Sequence, residues 1–206
     1  MNFWAFLKRK RECDSLKSLS KSTLKIGVIG TARGIGTTHT ALMLAGYYAN
    51  GLNLKTAVIE LNGHKDLIKM CGELEREFTD IRHFSYKNVD FYTCNTSKDI
   101  LKLSRDDYEI QVIDMDYGTL ENFEEFLRCD VKIVVCSAAI WKIGAARKLL
   151  MELNKTPIKL VTLWADKKTL KVMQREFGRA VTVVPQECNP FRITSQTMLW
   201  IKNFLD

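Results

Sequence analysis

The segment Gly27-Val28-Ile29-Gly30-Thr31-Ala32-Arg33-Gly34-Ile35-Gly36-Thr37-Thr38 constrains the fold more than any other part of this chain. The apolar run from Leu24 to Ile29 reads as a strand, and Thr40-Ala41-Leu42-Met43-Leu44-Ala45 reads as the opening of a helix. A glycine-rich turn between a strand and a helix lets backbone N–H groups wrap a phosphate at the helix N-terminus. At the place where such a loop carries its lysine, this chain has Thr37. The backbone pattern of an anion site is present without its customary side-chain charge.

The strand-helix alternation continues to the C-terminus. Further strands are expected at 55–60, 89–94, 108–114, 131–136, 158–163 and 180–184, with helices at 37–51, 64–76, 97–104, 119–128, 140–153, 167–177 and 192–205. Several strands are unbroken β-branched runs, which suits a sheet covered on both faces. The expectation is an α/β fold: a doubly wound, mostly parallel sheet in a three-layer sandwich of the P-loop NTPase type. With 206 residues and 46% apolar composition, residues 24–206 can bury one core as a single domain. Residues 1–23 are then a basic amphipathic extension ending in a Ser- and Lys-rich linker.

Charge separates these two parts. The chain carries a formal charge of +7, yet residues 1–25 hold seven basic against two acidic residues, so five of those net charges belong to the tail. A nearly neutral body argues against specific nucleic-acid binding through the domain surface. Phe3, Trp4, Phe6 and Leu7 precede Lys8-Arg9-Lys10-Arg11, and aromatic rings prefer the lipid headgroup boundary. Each basic residue near an anionic leaflet adds about 1 kcal/mol, so residues 1–11 are a candidate membrane-surface contact. Docking on a protein partner or on the chain's own domain, or a solvated basic end, are the alternatives. The apolar run is too short for a secretory signal or a membrane span. The six cysteines show no metal spacing and read as reduced thiols of a cytoplasmic protein.

In doubly wound sheets the ligand lies at the carboxyl ends of the strands. Three such ends carry polar residues: the loop 31–38, Glu60-Leu61-Asn62-Gly63-His64, and Asp114-Met115-Asp116-Tyr117-Gly118. An acidic residue after an apolar strand can hold a metal-bound water beside a phosphate.

From about residue 24 onward these motifs resemble the deviant Walker A family, to which the MinD and ParA proteins belong. The family's loop reads Lys-Gly-Gly-x-Gly-Lys-Thr-Thr, and Ala32-Arg33-Gly34-Ile35-Gly36-Thr37-Thr38-His39 stands in its place. Gly34, Gly36 and Thr38 match; both lysines are absent, at Ala32 and Thr37. The resemblance implies an ATP or ADP site formed by Arg33, Gly34, Ile35, Gly36, Thr37, Thr38 and His39. It also implies magnesium held by Thr38 and by the Walker B residue Asp114, which Gly118 follows. The family's Asp-x-Asp appears as Glu60-Leu61-Asn62, so its catalytic aspartate is an amide. Asn62 and Asp114 are the candidate catalytic residues, and Asp166, in Trp164-Ala165-Asp166, is a candidate contact for the base. Val183-Val184-Pro185 and Asn189-Pro190-Phe191 resemble the pilus-assembly branch, TadZ and CpaE.

The departures carry a physical meaning. A loop lysine neutralises charge that builds on the transferred phosphate, and losing one such group costs about 10²–10³ in rate. Without both lysines and the carboxylate, little ATPase activity is expected, whereas backbone N–H groups still favour an anion. Arg33 either supplies part of the missing charge or points to solvent. Three functions remain open: a nucleotide-binding pseudo-ATPase that localises or scaffolds a cell-envelope assembly such as a pilus or secretion system; an active ParA-type ATPase for DNA or cargo; and an interaction module with a vestigial site. The resemblance implies a homodimer, although the absent lysine at Ala32 removes a contact across it. The expected location is the cytoplasm, at the inner face of the membrane if the tail binds lipid. His39 and His64 read as helix-cap or surface residues, Lys65 and Asp66 as a solvated face, and Tyr47 and Tyr48 as packing residues. Trp141 lies where the family places part of its dimer or partner surface. Met198-Leu199-Trp200-Ile201 stands where MinD-like proteins carry their membrane helix.

Overall fold

The computed structural model describes residues 23–74, 83–93, 99–100 and 107–205. The extension before Thr23, and most of the helix expected at 97–104, fall outside the described residues. The described elements are β1 (Leu24–Gly30), α1 (Thr37–Gly46), β2 (Thr56–Leu61), α2 (Asp66–Glu73), β3 (His83–Tyr86), β4 (Val89–Thr93), β5 (Ile110–Asp116), α3 (Leu120–Arg128), β6 (Val131–Val135), α4 (Ile140–Glu152), β7 (Lys159–Thr162), α5 (Lys167–Phe177), β8 (Val181–Val183) and α6 (Ser195–Leu205). They form an eight-stranded sheet in the order β3-β4-β2-β5-β1-β6-β7-β8. Every pairing is parallel except β3 with β4.

Alternation along the strands divides the core into two layers. Ile26 and Val28 of β1, Val58 of β2 and Val112 of β5 pack with α1, α2 and α6. Ile29, Ile59 and Ile113 face the other way, against α3, α4 and α5. Both faces being covered explains the unbroken apolar runs. The doubly wound three-layer architecture expected from sequence is thus the observed one.

The chain leaves β1 for β2 on one side, and later crosses from β5 to β6 on the other. β1 lies between β5 and β6, so its carboxyl end is the topological switch point where such sheets form their crevice. The register there sets Gly30 beside Asp116 and Val28 beside Asp114.

Two elements differ from expectation. The helix expected over 37–51 is α-helical only to Gly46 and continues as a π-helical turn, Tyr47–Gly51. Widening the last turn accommodates two bulky, buried neighbours, Tyr47 and Tyr48, whose rings meet edge to face at 5.2 Å. The antiparallel edge strand β3 was not anticipated. The C-terminal helix docks on the core: Thr197, Ile201 and Leu205 are buried, and Trp200 stacks on Phe204 at 4.8 Å. Among the described residues no helix is long and apolar enough to cross a membrane.

Candidate nucleotide site

The loop joining β1 to α1 is shaped by its glycines. Gly34 and Gly36 have φ of +67° and +92°, in the left-handed region that side chains disfavour. At Gly36 a Cβ would also stand 2.2 Å from Leu163 Cδ2, so any larger residue meets both strain and a collision. Gly30 faces Thr37: a Cβ there would lie 2.2 Å from Thr37 Oγ1. Thr37 therefore packs tightly over the end of β1, at the position where the resemblance expects a lysine.

α1 begins without a side-chain cap and without an acidic residue in its first turn. Its first N–H groups and the positive end of its dipole are left for something outside the helix. The loop borders a cavity of about 450 Å³ that also contacts Asn62, His64, Asp66, Asp114 and Tyr117. Fold and loop thus bring together Arg33, Gly34, Gly36, Thr37, Thr38, His39, Asn62 and Asp114 around one space. Arg33 is exposed at its rim. His39 is held below the usual imidazole range because burial disfavours its charged form, a hydrogen bond with the Glu187 backbone opposing this only in part.

At the floor of the cavity Thr38 Oγ1 donates to Asp114 Oδ2 at 2.7 Å, and Asn62 Nδ2 donates to the same oxygen at 3.1 Å. Among the described residues, Asp114 Oδ1 is buried with no hydrogen-bond partner. Burial pushes the Asp114 carboxyl up to about 7; the Thr38 hydrogen bond offsets this in part, while the Glu60 and Asp66 charges add to it. An unfilled carboxylate oxygen at this depth is costly unless a cation or donor completes it.

Asn62 is committed on both sides, since its Oδ1 accepts from the His64 N–H at 2.9 Å. An aspartate at 62 would set two carboxylates against each other, which the amide avoids. Glu60 Oε1 accepts from the N–H groups of Asp66, at 2.7 Å, and Leu67, at 3.3 Å, and so caps α2. Burial raises its carboxyl above the ordinary value, opposed by those two N–H groups.

Two candidates lie elsewhere. Ile35 and Asp166 line a second space of about 490 Å³, between the loop and the ends of β6 and β7. Asp166 Oδ1 there accepts from the Thr169 N–H at 2.6 Å and caps α5, and that hydrogen bond holds its carboxyl below the ordinary value. Asp-x-x-Thr before a helix is a capping signal that the sequence reading passed over. His64 and Asp66, read as surface residues, line the first cavity. Trp141, Ile140 and Trp164 are 84%, 84% and 67% exposed, and Trp164 lines the second space with Ile35. Sequence reasoning also missed Lys142, whose Nζ donates to the Arg33 carbonyl at 2.9 Å. A contact across 109 positions leaves no local signal in sequence.

No family model and no curated protein matches the chain. Solved structures do. A putative plasmid partition protein from Borrelia burgdorferi B31 bound to AMPPNP is 15% identical, with a TM-score of 0.66 over 89% of this chain and 97% of that one. A ParA family ATPase from Chlorobium tepidum TLS is 12% identical, with a TM-score of 0.61 over 90% of this chain and 97% of that one. MinD in the MinC:MinD cell division complex of Aquifex aeolicus is 15% identical, with a TM-score of 0.63 over 81% of this chain and 82% of that one. The chain has the fold of the ParA and MinD ATPases.

Proposed function

We propose that this protein binds ATP or ADP with magnesium between the 31–38 loop and the ends of β2 and β5, and that the bound nucleotide acts as a structural ligand rather than as fuel. The single observation that carries this reading is the pairing of Thr38 with Asp114 beneath the loop, with one Asp114 oxygen left unfilled. Thr38 and Asp114 would hold the metal: a hydroxyl and a carboxylate are the hard oxygen ligands that suit magnesium, and the unfilled oxygen fits a cation or its bound water. Magnesium held there would supply positive charge to the phosphates. The uncapped N-terminus of α1 offers N–H groups to the same anion.

Hydrolysis lacks its parts. Thr37 and Ala32 bring no charge, and Asn62 is neutral and already bonded to Asp114. A nucleotide that stays bound suits a protein that localises or scaffolds other components. A cell-envelope assembly, such as a pilus or secretion system, is the role we assign, supported by the aromatic and basic residues 1–11 and the likeness of residues 183–185 and 189–191 to the pilus-assembly branch. Ile140 and Trp141 are the surface offered to a partner or a second copy.

Calorimetric titration of ATP and ADP, with and without magnesium, tests the site, and phosphate release in the same samples tests the chemistry. Saturable, magnesium-dependent binding with turnover at background supports the proposal. Steady turnover abolished by Asp114→Ala points instead to an active ATPase, and no binding of either nucleotide points to an interaction module. For the tail, deleting residues 1–12 should abolish binding to anionic liposomes, and that binding should weaken as salt rises.

A further inference from the structure

The phosphate loop has no lysine of its own, yet a lysine touches it. Lys142 lies in the first turn of α4, beyond the end of β6, and β6 pairs directly with β1. That pairing brings the start of α4 to the tip of the loop, where Lys142 Nζ donates to the Arg33 carbonyl at 2.9 Å. Arg33 lines the cavity and Lys142 does not, so the ammonium is anchored at the tip of the loop, beside that space rather than in it. An ammonium has three N–H groups and the Arg33 carbonyl takes one, so two remain for another acceptor. Lys142 is also only half-exposed, which limits the screening of its charge.

We propose that Lys142 is an anion-binding residue of this site, a cation delivered from α4 to the nucleotide phosphates in place of the two lysines that the loop lacks at Ala32 and Thr37. The proposal rests on the nucleotide reading above and adds the source of the positive charge. Two features favour a charge role over a mere brace. The loop's conformation is already imposed by Gly34 and Gly36. The other basic side chain at the tip, Arg33, stands out in solvent at the rim. A charge acting on phosphates discriminates ligands by their phosphate number, and a brace does not.

The experiment is a calorimetric titration of ATP, ADP and adenosine, with magnesium, into the full chain and into Lys142→Gln, Lys142→Met and Lys142→Arg. Glutamine keeps a donor for the Arg33 carbonyl but loses the charge. Both Lys142→Gln and Lys142→Met should weaken ATP binding about three- to tenfold, the modest worth of a partly exposed charge. ADP should suffer less and adenosine not at all, while Lys142→Arg should stay within about twofold of the unaltered chain. Unchanged melting midpoints establish that the variants fold. ATP affinity kept by Lys142→Gln but lost by Lys142→Met would make Lys142 a brace and overturn the proposal, as would equal affinities throughout. Failure of the unaltered chain to bind any of the three overturns the nucleotide reading itself, and the proposal with it.

Discussion

Two aspartates of the sheet, Asp90 half-buried and Asp114 buried, have opposite fates. Asp90, on β4 near the edge of the sheet, accepts from Ser85 Oγ at 2.5 Å on one oxygen and from Tyr108 Oη at 2.8 Å on the other. Tyr108 in turn shares a 2.7 Å hydrogen bond with Tyr92, whose ring stacks on His83 at 4.6 Å, and Lys55 lies over the Tyr108 ring. Burial alone would raise the Asp90 carboxyl, but Ser85, Tyr108 and His83 outweigh it and hold it below the ordinary value. Asp114, beneath the 31–38 loop, has one oxygen accepting two hydrogen bonds and the other without a partner among the described residues, and burial raises its carboxyl to about 7. The same residue type is closed in one place and open in the other. The Asp90 carboxylate is satisfied by its neighbours, whereas Asp114 keeps an oxygen whose burial cost a cation or donor would offset.

The largest expected effect lies in the loop. Gly36→Ala forces a side chain into positive φ and against Leu163, and should destabilise by about 2–4 kcal/mol in urea unfolding. A cost near zero would mean that the loop tolerates other shapes. At the closed cluster, Asp90→Ala strands the Ser85 and Tyr108 hydroxyls and should cost about 1–3 kcal/mol, discounted because Asp90 is partly exposed. Because the folded carboxyl of Asp90 titrates below its unfolded value, its contribution is present above pH 4 and is lost as the pH falls further, so acid should erase the difference between variant and parent. Asn62→Asp replaces a donor with a second carboxylate beside Asp114 and should cost about 1–2 kcal/mol at pH 8 and less at pH 5. An equal cost at both values would place Asn62 outside the electrostatics of the site. Thr37→Lys restores a charge next to the phosphates and should tighten ATP binding by about tenfold in calorimetry. Unchanged or weaker affinity would mean that the loop does not cradle phosphate.

Much of the site was legible because it depends on local rules. Positive φ demands glycine, so Gly34 and Gly36 marked the loop. Asp114 and Asn62 follow apolar runs, so strand ends could be read. The hairpin bearing β3 was hidden because its two turn residues, Lys87 and Asn88, adopt φ of 51° and 60° without glycine, so the Asn-Gly type of signal was absent. His83–Tyr86 is also only four residues long. The capping role of Asp166 was passed over because its place in the motif spoke louder than its spacing to Thr169. Glu60 as the cap of α2, and Lys142 at the loop, depend on how separate segments meet, which no local pattern records.

If Asp114 is left open for a metal-bound nucleotide, removing its charge must change how the protein answers to pH, magnesium and ATP. Melting midpoints of the parent and of Asp114→Asn, with and without magnesium and ATP, test it in one set of scans. Because the folded pKa is raised above the unfolded one, the ionised parent loses stability as the pH rises from about 4 to about 7. Without ligand, the variant should therefore melt higher than the parent at pH 8, and the gap should close towards pH 4. With magnesium and ATP the order should reverse, because only the parent can hold the metal and gain its binding free energy. A variant that melts below the parent without ligand, or that gains the same shift from magnesium and ATP, would contradict the claim.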